Sequence, residues 1–437
     1  MNDTAFSSAP HSAEATNAPR TRGQFRLIAA CSLGNALEIF DFTIYSFFAL
    51  LIGKLFFPSS NPYISLLLSV ATFGIGFAMR PLGGFVIGNY ADRRGRKAAL
   101  TLTLLLMVAG TLCIAVAPSY ASAGVLGTLM VLAGRLLQGF SVGGEFAAAA
   151  VLLMESGHQQ GRGWRVSWTL ATQGIASVVG ALCAAALYAA LPTAALESWG
   201  WRLPFLIGLL IAPVGIYIRS HLDETHQPRE QGPSPLRMLW RDHRGLVIKG
   251  IMATAAGTAT MYLVVFFMPT YMIRVLHLPP ALSLLSGCVT GATVTVAALV
   301  SGRLTDRLAR RKPLVLTSLT LSMLAVYPAF WLITTYPSVP LVICLATLLT
   351  ACINLGMTPL FLGIMETLPI EVRTSGISVI SSVGIAVIGG SSQFIVTWLL
   401  ARTGNPMSPA WYMLVCCVVT VLAVMSIRET PRHEGAR

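Results

Sequence analysis

Residues 88–97 read GNYADRRGRK and residues 302–312 read GRLTDRLARRK, which puts Asp92 and Asp306 in the same place, 214 residues apart. The recurrence is not isolated. Glu155 and Arg162 in MESGHQQGRG (154–163) return as Glu366 and Arg373 in METLPIEVRTSG (365–376), each at an offset of 211. IRSHLDET at 218–225 has a shorter counterpart, IRET, at 427–430. Polar landmarks repeating at a near-constant offset mark two units that duplicate one another in the same orientation.

Between these landmarks the chain is built for lipid. Of its 437 residues 55% are hydrophobic and 11% charged, with a mean hydropathy of +0.71; a soluble chain of this length would instead divide into polar-surfaced domains. Twelve apolar runs long enough to span a bilayer fall at 27–53, 63–89, 98–117, 123–154, 166–191, 203–218, 246–273, 282–302, 313–334, 339–365, 376–400 and 410–427. The expectation is an all-α membrane protein of twelve transmembrane helices in two six-helix pseudo-symmetric bundles. The bundles cover 25–218 and 246–427, with a disordered tail at 1–24, a hydrophilic linker at 219–245 holding Pro228, Pro233 and Pro235, and a tail at 428–437. The first 20 residues are polar and carry no apolar stretch before a cleavage site, so the first span is expected to act as its own insertion signal.

Basic residues fix the expected orientation. With both termini cytoplasmic, 24 of the 30 Lys and Arg residues fall on the cytoplasmic side, as the positive-inside rule requires. That rule also accounts for the net charge of +13, which lies in short loops and forms no basic domain suited to nucleic acid. Eight cysteines are scattered through apolar runs without metal-ligand spacing and read as unbridged core residues. HExxH and phosphate-loop patterns are absent, so the chain is not expected to be an enzyme or to hold a metal or cofactor.

Five ionisable residues lie deep in the spans: Glu38 and Asp41 in GNALEIFDF (34–42), Arg80 in the second, Arg135 and Glu145 in the fourth. Each acid costs about 2.5–3.5 kcal/mol at a bilayer centre. Such groups must face one another or a wet cavity, so helices one, two and four are expected to converge on one chamber. An acid that meets an arginine in one state and stands desolvated in the other exchanges a proton between them. Arg80, with a planar guanidinium, suits a substrate carboxylate, the other reading being a permanent ion pair with Glu38 or Glu145. The second half has no charged residue deep in its spans but offers Thr254, Thr258, Thr260, Tyr262, Asn354 and Gln393, of which Tyr262 and Asn354 are expected to complete a substrate shell.

GNALEIFDF, GFAMRPLGG (76–84), GNYADRRGRK, RLLQGFSVGGE (135–145) and SWGWRLPFLIG (198–208) together resemble the major facilitator superfamily, in its metabolite:proton symporter branch. EIFDF, FFMPTYMIRVLHL (266–278) and NPMSPAWYM (405–413) look closest to the citrate and tricarballylate proton symporters. The resemblance implies a major facilitator fold and a first-helix acid paired with a fourth-helix arginine, here Asp41 and Arg135. Asp41 is then expected to carry the coupling proton, with Glu38 assisting. Arg80 and Arg135 would bind a small organic anion, a di- or tricarboxylate such as citrate. Asp92, Arg93, Gly95, Arg96, Asp306, Arg307, Glu155, Arg162, Glu366 and Arg373 would form the cytoplasmic gate, although Ala309 stands where the second copy should match Gly95. The expected activity is proton-coupled symport by alternating access across the plasma or bacterial inner membrane. Alternatives are a symporter for a zwitterion such as proline or betaine, one for a monocarboxylate such as shikimate, or a non-transporting sensor. The proton is the coupling ion, and a monomer in the bilayer is the working expectation.

Overall fold

The computed structural model describes residues 35–94, 96–143, 145–155, 161–209, 213, 235–427 and 429, which are helical apart from short connections and include no strand. Nine helices among them are long and apolar enough to cross a membrane, and the bent pair Asn35–Phe47 and Ala49–Phe56 makes a tenth. Arg96–Ala115 stands as the third span, and the sixth is helical over 203–209 and at Pro213. The layout is the twelve-helix, two-bundle one. Proline opens many of the helices, with Pro62, Pro280, Pro313, Pro340 and Pro409 at a first or second helical position, where a missing N–H costs nothing.

Breaks in the spans fall where the halves or the charged residues meet. Pro81 has no N–H to give Phe77, and the second span is interrupted at Met79, whose N–H turns to Gly76 O at 3.2 Å. Arg80 therefore begins a new helix, Arg80–Arg94. The fourth span, expected as one run over 123–154, ends as Val125–Val142 and resumes as Glu145–Glu155. Gly143 lies at that break, and a Cβ on it would sit 2.1 Å from Arg80 O. The seventh span (Arg244–Arg274) widens into a π-helix at Met261–Phe267, and the eleventh (Ile370–Thr403) does so at Ile385–Gly389. The first span turns by 65° at Phe48.

Lipid supplies no hydrophobic drive between helices, so close backbone approach must do the packing. Within the first half, a Cβ on Gly139 would lie 1.6 Å from Gly76 O, which locks the fourth span onto the second. Between the halves, the fifth (Arg162–Ala190) and eighth (Pro280–Arg307) spans run against each other through Gly174 and Gly291, and the second meets the eleventh through Gly74 and Gly390. An aromatic core crosses this interface, joining Phe42, Phe73 and Phe77 to Tyr262 and Phe266. Side chains such as Phe85, Val125 and Leu324 are exposed instead, as lipid-facing positions should be. In the expected linker, Pro235–Asp242 is a helix anchored by buried Leu239; residues 219–234 and the tails at 1–34 and 430–437 lie outside the described residues.

Candidate functional site

Helices one, two and four do converge. Glu38 and Arg80 form a buried ion pair, with the guanidinium Nη2 donating to Glu38 Oε1. The Arg80 charge also faces Phe77, 4.5 Å from its centroid, and Phe42 at 5.3 Å. Arg135 lies over the same Phe42 ring at 4.8 Å, with Tyr45 at 4.7 Å and Phe73 at 5.0 Å around it. Two guanidiniums thus share one aromatic wall. Both Nε atoms are buried without a hydrogen-bond partner, each an unmet donor worth about 1–3 kcal/mol.

Asp41 and Arg135 are neighbours, but a third residue stands between them. Thr111 of the third span donates to Asp41 Oδ2 at 2.6 Å, and Gln138 Nε2 donates to the same oxygen at 3.0 Å. Gln138 Oε1 in turn accepts from Arg135 Nη1 at 2.7 Å. The direct acid–arginine pair implied by the resemblance is here an amide-bridged chain. Neither Gln138 nor Thr111 was singled out in the sequence. Gln138 carried one usable signal, its position three residues after Arg135 on the same helix face.

The second half supplies the opposing wall. The Tyr262 ring packs 5.3 Å from Phe77 and 6.1 Å from Phe73, and its charge environment includes Arg80, Glu38 and Arg135. The two π-helices meet here, since a Cβ on Gly389 would lie 2.7 Å from the Tyr262 ring. Extra-wide turns of this kind recur at functional sites. Gln393 reaches the first span through Ser46 Oγ at 2.9 Å, while its own Oε1 is buried without a partner. Asn354 donates its amide N–H to Thr350 O in its own helix at 2.8 Å. The side chains of Glu145, Asp92, Arg93 and Arg96, and Gly95 altogether, lie outside the described residues.

Both ends of this cluster are closed. At the end carrying the basic loops, Glu155 meets Arg373 at 2.8 Å and Arg162 meets Glu366 at 3.7 Å. The repeat explains the crossing. A twofold axis relating parallel repeats exchanges the halves, so a contact from Glu155 to Arg373 requires its mate from Glu366 to Arg162. Glu366 is shared with Arg311, which loosens the second copy. Asp306 caps the fifth span from the opposite half, accepting from Gly163 N and Trp164 N at 2.8 Å each. Arg307 is exposed, and Arg303 one turn earlier stacks over Trp164 at 3.9 Å instead. At the opposite end Arg274 covers the Tyr63 ring at 4.7 Å, and Ser46 Oγ donates to Phe266 O at 3.2 Å.

Reversing one charge of a closing pair should open this end. Arg373→Glu faces Glu155 with a like charge, and for a half-exposed pair the change amounts to about 1–2 kcal/mol, roughly a 5–30-fold shift in the closed-to-open ratio. The measurement is thiol labelling of a cysteine introduced at Ser381, in wild type and variants. Labelling should accelerate in Arg373→Glu and return to within about twofold in Glu155→Arg/Arg373→Glu. Unchanged labelling in the single variant would remove the pair from the closure.

The match to known proteins is extensive. The family model for the Major Facilitator Superfamily covers residues 31–386. A citrate-proton symporter of Klebsiella pneumoniae is 36% identical over 398 residues, spanning 89% of this chain and 88% of that protein. A proline/betaine transporter of Salmonella typhimurium is 30% identical over 429 residues, 93% of this chain and 83% of that one. A partially occluded inward-open structure of the xylose transporter of E. coli superposes with a TM-score of 0.72 at 16% identity, covering 93% of this chain and 98% of that one, and so shares the fold. The chain belongs to the major facilitator superfamily and is a multi-pass membrane transporter, not an enzyme.

Proposed function

We propose that this chain is a proton-coupled symporter that brings a small organic anion, a di- or tricarboxylate such as citrate, into the cell by alternating access. The observation that carries the reading is the pair of buried guanidiniums at Arg80 and Arg135. Both stand on the Phe42 wall, and each keeps a donor with no acceptor. A carboxylate suits these donors, because arginine forks match carboxylate oxygens and a dry aromatic surround strengthens the bond. Likeness to the citrate-proton symporter supports the same choice.

Asp41 is the proton carrier in this scheme. The described cluster holds two acids, Glu38 and Asp41, and two arginines, Arg80 and Arg135. One proton on Asp41 leaves a net positive charge that one substrate carboxylate neutralises, so proton and anion load together. The face with Glu155, Asp306 and Glu366 is then the cytoplasmic gate. It breaks as the halves rock apart, and substrate and proton leave inward.

A zwitterion such as proline or betaine is the second reading, favoured by the proline/betaine transporter likeness. Against it, the aromatic faces that would hold a quaternary ammonium are already covered by Arg80 and Arg135. The test is uptake by reconstituted vesicles under an imposed pH gradient, with labelled citrate, tricarballylate, 2-oxoglutarate, shikimate and glycine betaine offered in turn. Accumulation of a di- or tricarboxylate is expected. Accumulation of betaine alone would overturn the anion assignment, and accumulation of none would overturn symport of this class.

A further inference from the structure

Gln138 has no role in the scheme above, yet among the described residues it is the side chain that bonds to both Asp41 and Arg135. An arginine only donates. Arg135 Nη1 therefore fixes Oε1 on its own side and turns Nε2 toward Asp41, where it finds the carboxylate oxygen at 3.0 Å and Thr111 Oγ1 at 2.9 Å. The amide orientation is dictated at both ends, by a permanent donor on one side and an acceptor that can become a donor on the other.

The geometry points to Gln138 as the positioning residue that transmits the protonation of Asp41 to Arg135. The inference rests on Asp41 carrying the coupling proton. Both bonds to Asp41 fall on Oδ2, and charge makes them strong. A proton on Oδ2 turns that acceptor into a donor facing Nε2, and the amide satisfies it by turning over to present Oε1. The turned amide then aims its NH2 at Arg135 Nη1, donor against donor. Arg135 loses the nearer of its two acceptors, keeping only Phe73 O at 3.5 Å from Nη2 within the Phe42, Tyr45 and Phe73 rings, and an incoming carboxylate takes the place of the amide. A proton on Oδ1 acts in the same direction more weakly, because a neutral acid no longer holds Nε2 with a charge-assisted bond.

The setting leaves few other routes for the signal. Around Asp41 stand Thr111 from the third span, Gln138 and Arg135 from the fourth, and Gly208 from the sixth, where a Cβ would lie 3.0 Å from Oδ1. Among the described residues, Arg80 with its partner Glu38, and Tyr45 and Tyr262, are the remaining ionisable groups acting on Arg135 or bordering the pair. None of these bridges Asp41 to Arg135 as Gln138 does. The order that follows is proton first, anion second, with each raising the affinity for the other by the same factor.

The test uses the full chain in vesicles and measures half-saturation of solute counterflow from pH 5.5 to 8. Citrate is the probe, or, if the unaltered chain does not accumulate it, whichever of tricarballylate, 2-oxoglutarate, shikimate and glycine betaine it does. Linkage to one proton allows up to about a tenfold loss of affinity per pH unit in wild type. Titration of the solute itself is common to all variants and cancels in the comparison. Gln138→Met keeps the volume and removes both hydrogen bonds. It should flatten the pH dependence to less than about twofold per unit relative to wild type while counterflow at saturating solute persists, an outcome that a merely structural glutamine would not give. Gln138→Asn, too short to bridge both partners, should flatten it equally and serves if the methionine variant does not fold. A wild-type slope in either folded variant overturns the relay. Asp41→Asn separates the two claims: if it alone flattens the slope, Asp41 is the proton site and Gln138 is not its transmitter. If Asp41→Asn retains the slope, the proton assignment itself fails.

Discussion

Asp41→Asn should abolish concentrative uptake while leaving solute exchange within a few-fold of wild type. The side chain is buried, and its Oδ2 accepts from Thr111 and Gln138. An asparagine carbonyl can take both bonds, so the substitution changes charge and proton exchange with little change of shape. In effect it fixes the neutral state of an acid protonated on Oδ1. A pH difference of one unit across the membrane supplies about 1.4 kcal/mol per proton, or about tenfold accumulation, and in the variant the inside-to-outside ratio should fall to one. Counterflow of labelled against unlabelled solute needs no net proton movement and should persist. Accumulation above unity in Asp41→Asn vesicles would place the coupling proton elsewhere, with Glu38 the next candidate.

How much of this was readable beforehand depended on how loudly physics marks a residue. A charge within an apolar run is loud, because lipid forces it toward another charge; Glu38, Asp41, Arg80 and Arg135 were legible on that ground alone. The crossing of the two ion pairs was implicit in the repeat, since equal offsets for Glu155 and Glu366 and for Arg162 and Arg373 leave a twofold exchange as the consistent pairing. Gln138 was quiet. A neutral amide carries no comparable penalty in a span, and only its spacing from Arg135 hinted at a shared face. Asn354 was equally quiet about its local geometry, in which its amide donates to Thr350 O one turn back in its own helix. The break at Met79 follows from Pro81, whereas nothing in MYLVVFF announces the π-helix at Met261–Phe267 that carries Tyr262.

Arg80→Gln should be the most damaging single change in the cluster, and it should be damaging for two separable reasons. Arg80 and Glu38 are paired out of solvent, and removing one partner strands the other charge, at a cost of about 3–5 kcal/mol. That alone would lower the yield of folded protein and its thermal stability in detergent. Glu38→Gln/Arg80→Gln removes both charges and should recover most of the stability, because two neutral amides remain able to hydrogen-bond where the ion pair stood. Stability and transport should then part. If Arg80 serves only as the permanent partner of Glu38, the double variant folds and transports. If its unpartnered Nε awaits a substrate carboxylate, the double variant folds and binds the anion at least tenfold more weakly. The comparison of melting temperature with half-saturation in one pair of variants decides which of the two readings of Arg80 holds, and a double variant that is both stable and fully active would end the case for Arg80 as a substrate ligand.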